Sequence, residues 1–409
     1  MESVDLEDVA RKHGTPLYCY SARQIEKNYH AYADSLGKYF DKKKFMICYA
    51  CKANSNVAVL RLLHKLGAGA DIVSGGEMQR ALAAGVPPGK IVYSGVGKSD
   101  GELEEALRCG VYQINVESEQ ELESISKIAR RLKKTAHVAI RVNPDVDAKT
   151  HAKITTGTSE NKFGIDIDLA PAVFARAKKL PNVKAVGVAV HIGSQLTALT
   201  PFRHAYAKVA ELVRNLRKKG HDITRVDLGG GIGITYRNEK PINMDLYAKM
   251  VRDVIGPLKT HITLEPGRSI VGNAGVLLSR TISVKKGRKK SFLILDAAMN
   301  DLMRPALYDA YHAIIPLKQA PKNTTYDVVG PVCETGDTFL VNERMPKIKA
   351  GDLVAIMNGG AYGAAMSCNY NTRPLAGEVL VRDGSFAPIR KPQRVADLIG
   401  SDIIPKWLG

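Results

Sequence analysis

The chain has 409 residues, 45% of them hydrophobic and 24% charged, which is the composition of an ordinary soluble globular protein long enough for two domains. Nowhere do about 18 apolar residues run together, so no spanning helix or membrane partner is expected. The net charge of +18 collects in runs such as Arg130-Arg131-Leu132-Lys133-Lys134 and Lys285-Lys286-Gly287-Arg288-Lys289-Lys290, but with 6% aromatic residues and no nucleic-acid module these are expected to be solvated faces rather than a nucleic-acid footprint. The acidic start Met1-Glu2-Ser3-Val4-Asp5-Leu6-Glu7-Asp8 has no apolar core of a leader, and a cytoplasmic location is expected. Six cysteines make no disulfide framework, and Cys48 and Cys51 point to opposite faces of a strand, so no metal site is expected.

Pro16-Leu17-Tyr18-Cys19-Tyr20 is strand-like and precedes a long repeat of strand then helix. Within that repeat, apolar runs end near Cys51, Val73, Gly95, Val116, Val142, His191, Leu228 and Glu265. Ser74 with Glu77, Ser99 with Glu102 and Ser118 with Glu121 have the spacing of capping boxes at helix starts. Glu119 to Lys134 and Pro201 to Lys219 carry apolar residues at helical spacing with basic outer faces. Eight such units predict an α/β fold, a closed (β/α)8 TIM-type barrel over residues 31–275. Beyond Gly275 the texture changes to short β-rich runs: Val276 to Val284, Ser291 to Asp296, Thr325 to Val329, Leu353 to Met357 and Glu378 to Arg382, with helix confined to pieces such as Asp301 to Ala313. Residues 276–409, with 1–30, are expected to form a second, all-β domain.

In such barrels working residues lie at the C-terminal ends of the strands. Lys52 ends the apolar run Phe45-Met46-Ile47-Cys48-Tyr49-Ala50-Cys51, where a desolvated amine can act as a nucleophile. Asp71, Arg141-Val142-Asn143 and His191-Ile192-Gly193-Ser194-Gln195 occupy the corresponding places on later strands. Asp227-Leu228-Gly229-Gly230-Gly231-Ile232-Gly233 can cradle a phosphate with its backbone N–H groups. Glu265-Pro266-Gly267-Arg268 sets a carboxylate beside a guanidinium. Singly, each has a plainer account: a solvated strand-end lysine, a tight turn, a satisfied interior histidine, a structural ion pair. Converging on one mouth, they describe a pocket for pyridoxal 5'-phosphate.

Tyr49-Ala50-Cys51-Lys52-Ala53-Asn54, Glu160-Asn161-Lys162-Phe163-Gly164-Ile165, the His191, Gly229 to Tyr236 and Glu265 segments, and Cys333-Glu334-Thr335-Gly336-Asp337 follow one another over nearly the whole chain. In these stretches the sequence closely resembles the bacterial diaminopimelate decarboxylases, of the alanine-racemase-like, fold type III class of pyridoxal phosphate enzymes. The resemblance implies that Lys52 holds the cofactor covalently, with Asp71, Arg141, His191, Ser194, Gly230, Gly231, Glu265, Gly267, Arg268 and Tyr362 around it. It further implies substrate contacts at Arg268, Arg304, Tyr308, Glu334 and Tyr362, a proton donor at Cys333, and a homodimer with shared active sites. Thr335 stands where serine is common in the family, and Glu334 where the related ornithine decarboxylases have aspartate.

The reaction so implied is decarboxylation of meso-2,6-diaminopimelate to L-lysine and carbon dioxide. Arg268 and Arg304 suit the distal carboxylate of that substrate, and Glu334 its ammonium. Related decarboxylases of ornithine, arginine or carboxynorspermidine are alternatives, as are an amino acid racemase, which needs a second base and an arginine at the ring nitrogen, and a non-catalytic cofactor carrier.

Overall fold

Eight of the apolar runs form short parallel strands: β1 (Phe45–Ala50), β2 (Gly69–Ile72), β3 (Ile91–Tyr93), β4 (Gln113–Val116), β5 (Ala136–Asn143), β6 (Val183–Val190), β7 (Arg225–Asp227) and β8 (His261–Leu264). Each pairs with the next in sequence, and β8 closes on β1 through Ile262 opposite Phe45 and Leu264 opposite Ile47, so the sheet is a barrel without free edges. The computed structural model describes residues 1–146, 162–318 and 320–409. They divide into a barrel unit, Glu26–Thr235 with Glu239–Ile270, and a β unit, Met1–Ile25 with Tyr236–Asn238 and Val271–Gly409.

Helices follow the first seven strands, at Val57–Lys65, Gly75–Ala83, Asp100–Cys109, Glu119–Arg131, Ala170–Lys179, Leu199–Lys218 and Met244–Val254. The three predicted caps differ in one detail. Ser99 and Glu102 close a full capping box, whereas Glu77 and Glu121 reach one residue further back, accepting from the N–H of Val73 and of Glu117. Their serines still cap, with Ser74 accepting from Glu77 N and Ser118 from Glu121 N. Strand ends are thereby tied to helix starts, which fixes the loops of the barrel's C-terminal face.

The β unit has strands β9 (Gly275–Lys286), β10 (Ser291–Leu295), β11 (Ile314–Pro316), β12 (Thr324–Val329), β13 (Thr338–Met345), β14 (Leu353–Ile356), β15 (Gly377–Arg382) and β16 (Ser385–Arg390). The Leu17–Ser21 strand lies between β9, antiparallel, and β15, parallel. The sheet runs β13, β12, β10, β9, Leu17–Ser21, β15, β16, with β14 joining β9 to β11. A register shift between Thr281 and Ser283 bends β9, so its first half pairs with Leu17–Ser21 and β14 and its second with β10. Leu17, Cys19, Val276, Leu278, Val379 and Val381 pack as one buried cluster. The basic run 285–290 covers the end of β9 and the hairpin turn into β10, and helix in the 301–313 stretch is limited to Arg304–Tyr308.

Candidate active site

β1 stops at Ala50, and Lys52 sits just beyond it in the short 3-10 turn Cys51–Ala53 rather than on the strand itself. In register beside Ala50 lies Asp71 of β2, and the Lys52 amine is 3.5 Å from its Oδ2. The lysine side chain is 37% exposed while that of Asp71 is fully buried, so the amine bridges solvent and interior instead of being wholly desolvated as its apolar run suggests. Lys98, whose side chain is buried, gives the contrast. Lys98 donates to Gly95 O, Asn115 O and Glu121 Oε1 at 2.7, 2.7 and 2.6 Å, which uses all three ammonium hydrogens and leaves it a purely structural role.

Beneath the mouth lies a polar layer that the sequence pattern does not announce. Asn115 on β4 receives Gln113 Nε2 at 2.8 Å and donates through Nδ2 to Ser94 Oγ and Asp227 Oδ2 at 3.1 Å and to Glu265 Oε1 at 3.3 Å. Asp227 also accepts the Gly229 N–H at 3.0 Å. The Asp227 and Glu265 carboxyls hydrogen-bond to each other, which requires one of them to hold a proton. Burial, then the charges of Asp227 and Asp71, pushes Glu265 well above the usual carboxylate range, and we assign the proton to it. Asp227 is itself pushed up to about 6, by burial first.

The loops after β6 and β7 are laced together. Gln195, held at φ 65°, donates from Nε2 to Ile234 O at 2.6 Å and accepts from Ile234 N at 3.2 Å, while Leu196 N donates to Gly231 O and Gly233 N to Leu196 O, both at 2.9 Å. Gly230 N–H donates to His191 Nδ1 at 3.2 Å, so this amide orients the imidazole. Burial, then Lys52 and Arg141, pushes His191 well below its ordinary value; it is neutral, with its proton on Nε2. Cβ atoms at Gly230 and Gly231 would lie 2.2 Å from Glu265 O and 2.4 Å from Gly193 O, so only glycine lets these backbones close up. Gly267 serves the turn of Lys52: a Cβ there would meet those of Ala50 and Ala53 at 3.1 Å. Arg268 is buried and donates to Ser194 Oγ at 3.0 Å.

Arg141 at the end of β5 pairs with Glu117 at 2.5 Å and lies 5.0 Å from the Phe163 ring centroid; Glu117 also takes the Gly164 N–H at 2.7 Å. Glu160 and Asn161 of the predicted motif lie outside the described residues. The barrel unit therefore gathers Lys52, Asp71, Arg141, His191, Ser194, Gly230, Gly231, Glu265, Gly267 and Arg268 at the strand ends and the loops that follow. Neither oxygen of the fully buried Asp71 accepts a hydrogen bond among the described residues, and the Lys52 amine lies beside it. Buried carboxylates next to an amine, below a close-packed glycine loop, fit a cofactor that is aldehyde at one side, cationic at its ring and anionic at its tail.

In the β unit, Arg304 is buried, with Nη1 3.0 Å from Tyr236 OH and 2.7 Å from His312 Nε2. His312 Nδ1 lies 2.8 Å from Met357 O, which fixes the tautomer: Nδ1–H donates, Nε2 accepts. Tyr308 ends the same short helix and is half-buried. Cys333 and Glu334 are exposed; the Cys333 N–H donates to Asn371 Oδ1 at 3.3 Å, and the Glu334 carboxylate pushes the Tyr370 phenol up. Tyr362 is half-buried at φ 57°, on a turn where a Cβ at Gly360 would be 1.9 Å from Val271 O. The sequence does not single out Asn115, Glu117 or His312, since a polar residue within a strand or loop carries no signal of its own partner.

The raised Asp227 has a consequence for stability. Because its folded value, about 6, exceeds the model-peptide value, 3.8, the native chain holds the extra proton between these pH values, and stability present at low pH is lost as pH rises through about 6. In urea unfolding of cofactor-free protein from pH 4 to 8, Asp227→Asn is expected to flatten this loss by about 1 to 3 kcal/mol. Identical slopes in the two proteins would rule the buried charge out.

A family model described as "Pyridoxal-dependent decarboxylase, pyridoxal binding domain" matches residues 22–272. Diaminopimelate decarboxylase of Pseudomonas aeruginosa is 48% identical, covering 99% of this chain and 97% of its own. That of Aquifex aeolicus is 47% identical, covering 96% and 92%. Among solved structures, diaminopimelate decarboxylase from M. jannaschii in co-complex with L-lysine superposes with TM-score 0.95 at 40% identity, covering 99% of this chain and 96% of that one. The Helicobacter pylori enzyme complexed with L-lysine gives 0.92 at 44%, covering 96% and 98%. With the family model spanning more than half of the chain and relatives matched along nearly their whole lengths, the chain belongs to the diaminopimelate decarboxylase family of pyridoxal-dependent decarboxylases.

Proposed function

We propose that this protein uses pyridoxal 5'-phosphate to decarboxylate meso-2,6-diaminopimelate to L-lysine and carbon dioxide, in the cytoplasm and as a homodimer with shared sites. The observation that carries the reading is the Lys52 amine 3.5 Å from the buried Asp71, in a mouth that also holds Glu265 and the glycine loop. L-lysine, bound in the solved structures of two relatives, is diaminopimelate less one carboxyl group, which supports it as the product.

When bound, the cofactor supplies an aldehyde that joins to amines and a ring that accepts the electron pair left by departing carbon dioxide. Lys52 provides the amine that holds it. Glu265 would pass its proton to the ring nitrogen and, as the carboxylate left behind, hold it there, and Asp71 would add negative charge below. Neutral His191 offers a flat face without a competing positive charge. Ser194, Gly230 and Gly231 bound the phosphate end, and Arg141, Gly267 and Tyr362 complete the surround. Arg268 and Arg304 grip the distal carboxylate, Tyr308 and Tyr362 line the substrate, Glu334 takes the distal ammonium, and the Cys333 thiol returns a proton to the reacting carbon.

Carbon dioxide release from meso-diaminopimelate by cofactor-loaded protein tests the reading. Ornithine, arginine and carboxynorspermidine assayed in parallel separate it from related decarboxylases. Inversion without gas release would instead favour a racemase, and neither outcome a carrier.

Two mutational outcomes follow. Arg304, already fixed by Tyr236 and His312, is poised to hold a carboxylate. Arg304→Ala leaves the buried partner charge unmatched and is expected to lower kcat/KM for diaminopimelate by about 2 to 5 kcal/mol, roughly 30-fold to several thousand-fold. Unchanged steady-state kinetics would remove Arg304 from the clamp.

The exposed Cys333 segment suits donation to a second copy's mouth. If inactive Lys52→Ala and Cys333→Ala chains exchange freely, about half of the dimers are mixed, each with one intact site, so about a quarter of wild-type activity returns. A mixture that stays silent after demonstrated exchange places Cys333 in its own chain's site.

A further inference from the structure

Two loops of the β unit carry groups proposed to meet the substrate: residues 296–303 lead into the Arg304–Tyr308 helix, and residues 330–338 carry Cys333 and Glu334. One buried side chain joins them. Asp337 is 3% exposed, and it accepts the Met299 N–H on Oδ1 and the Val332 N–H on Oδ2, both at 2.7 Å. Its backbone closes the second loop as well, with Gly330 N–H donating to Asp337 O at 3.0 Å, Asp337 N–H to Glu334 O at 3.1 Å and Glu334 N–H to Val332 O at 2.8 Å. A Cβ at Gly330 would lie 2.3 Å from Asp337 Oδ2 and 2.5 Å from Oδ1. Glycine at 330 is thus what allows the carboxylate to reach both amides.

The two amides are well placed for control of the site. Val332 immediately precedes Cys333, and Met299 lies in the loop that Asn300 ties, through its carbonyl, to Cys368 N at 3.0 Å. Arg373 holds that loop from the other side, donating to Asn300 Oδ1 at 2.9 Å. Cys333 and Glu334 themselves are exposed, and the neighbours that flank them, Asn371 and Tyr370, are exposed too. Exposed contacts hold weakly, so the buried carboxylate is the rigid attachment of an otherwise solvent-facing segment.

We infer that Asp337 is a positioning residue, whose carboxylate anchors the Cys333–Glu334 segment to the loop ahead of Arg304 and so presents the thiol in one place. The assignment of a proton-donor role to Cys333 rests on the function proposed above; the anchoring itself does not. Asparagine at 337 keeps one acceptor but turns an N–H₂ toward the other amide, and alanine at 330 drives the intact carboxylate away.

The test uses cofactor-loaded Asp337→Asn and Gly330→Ala, and reads iodoacetamide alkylation at Cys333 by peptide mapping, the cofactor's visible band, thermal melting and turnover of meso-diaminopimelate. Expected in each variant are a change of at least about threefold in alkylation rate, an unchanged band, and a fall of about 10- to 100-fold in kcat/KM. A folded variant with alkylation and turnover within twofold of wild type overturns the inference. Failure of both variants to fold also rejects it, making Asp337 a folding residue only. If wild-type protein releases no carbon dioxide while alkylation still depends on Asp337, the functional reading fails and the anchoring stands.

Discussion

Burial of carboxylates inside a closed barrel is the constraint on which the barrel unit turns. Interiors of parallel barrels are ordinarily filled by branched apolar side chains. Here Asp71, Gln113, Asn115, Asp227 and Glu265 take such places, each 7% exposed or less. A carboxylate held away from water needs a cation, donors or a proton, and Lys52 supplies one charge among three acids. The balance is made up by the proton on Glu265 and by the amide of Asn115. Such a layer is short of positive charge by construction, and an incoming group with a cationic ring relieves the deficit.

The β unit works by different means. Its groups are set by loops: Arg304 by Tyr236 and His312, Tyr362 by a glycine turn, Cys333 by the segment that Asp337 anchors. Backbone amides donating to the buried Asp337 hold the Cys333 loop, which leaves side chains such as Glu334 open to solvent. Function is concentrated on surfaces of this kind, carried by a rigid sheet.

Much of this was legible in the sequence because strand ends and glycines leave strong marks. Their place after apolar runs singles out Lys52, His191, Gly231 and Glu265 in the sequence, and β1 to β8 end within two residues of the predicted stops. β13 and β16 escaped because they are edge strands of their sheet, where polar residues such as Asn342, Glu343 and Arg344 in β13 break the alternation. β11, at three residues, is too short to show a period. The Asn115 and Asp227 network was invisible for another reason: apart from Gln113, two residues away on β4, the partners of Asn115 lie at or just beyond the ends of other strands, 21 to 150 residues away in the chain, and only closure of the barrel brings them together.

Gln195 shows how far that closure reaches. Its side-chain amide takes both main-chain bonds of Ile234, acting as a borrowed peptide unit between two loops that no regular strand connects. Loops crosslinked in this way have little conformational freedom left to lose when an anion arrives. On the reading proposed above, capture of the cofactor's tail is a docking event into a ready-made seat, with the ordering entropy already settled when the chain folds.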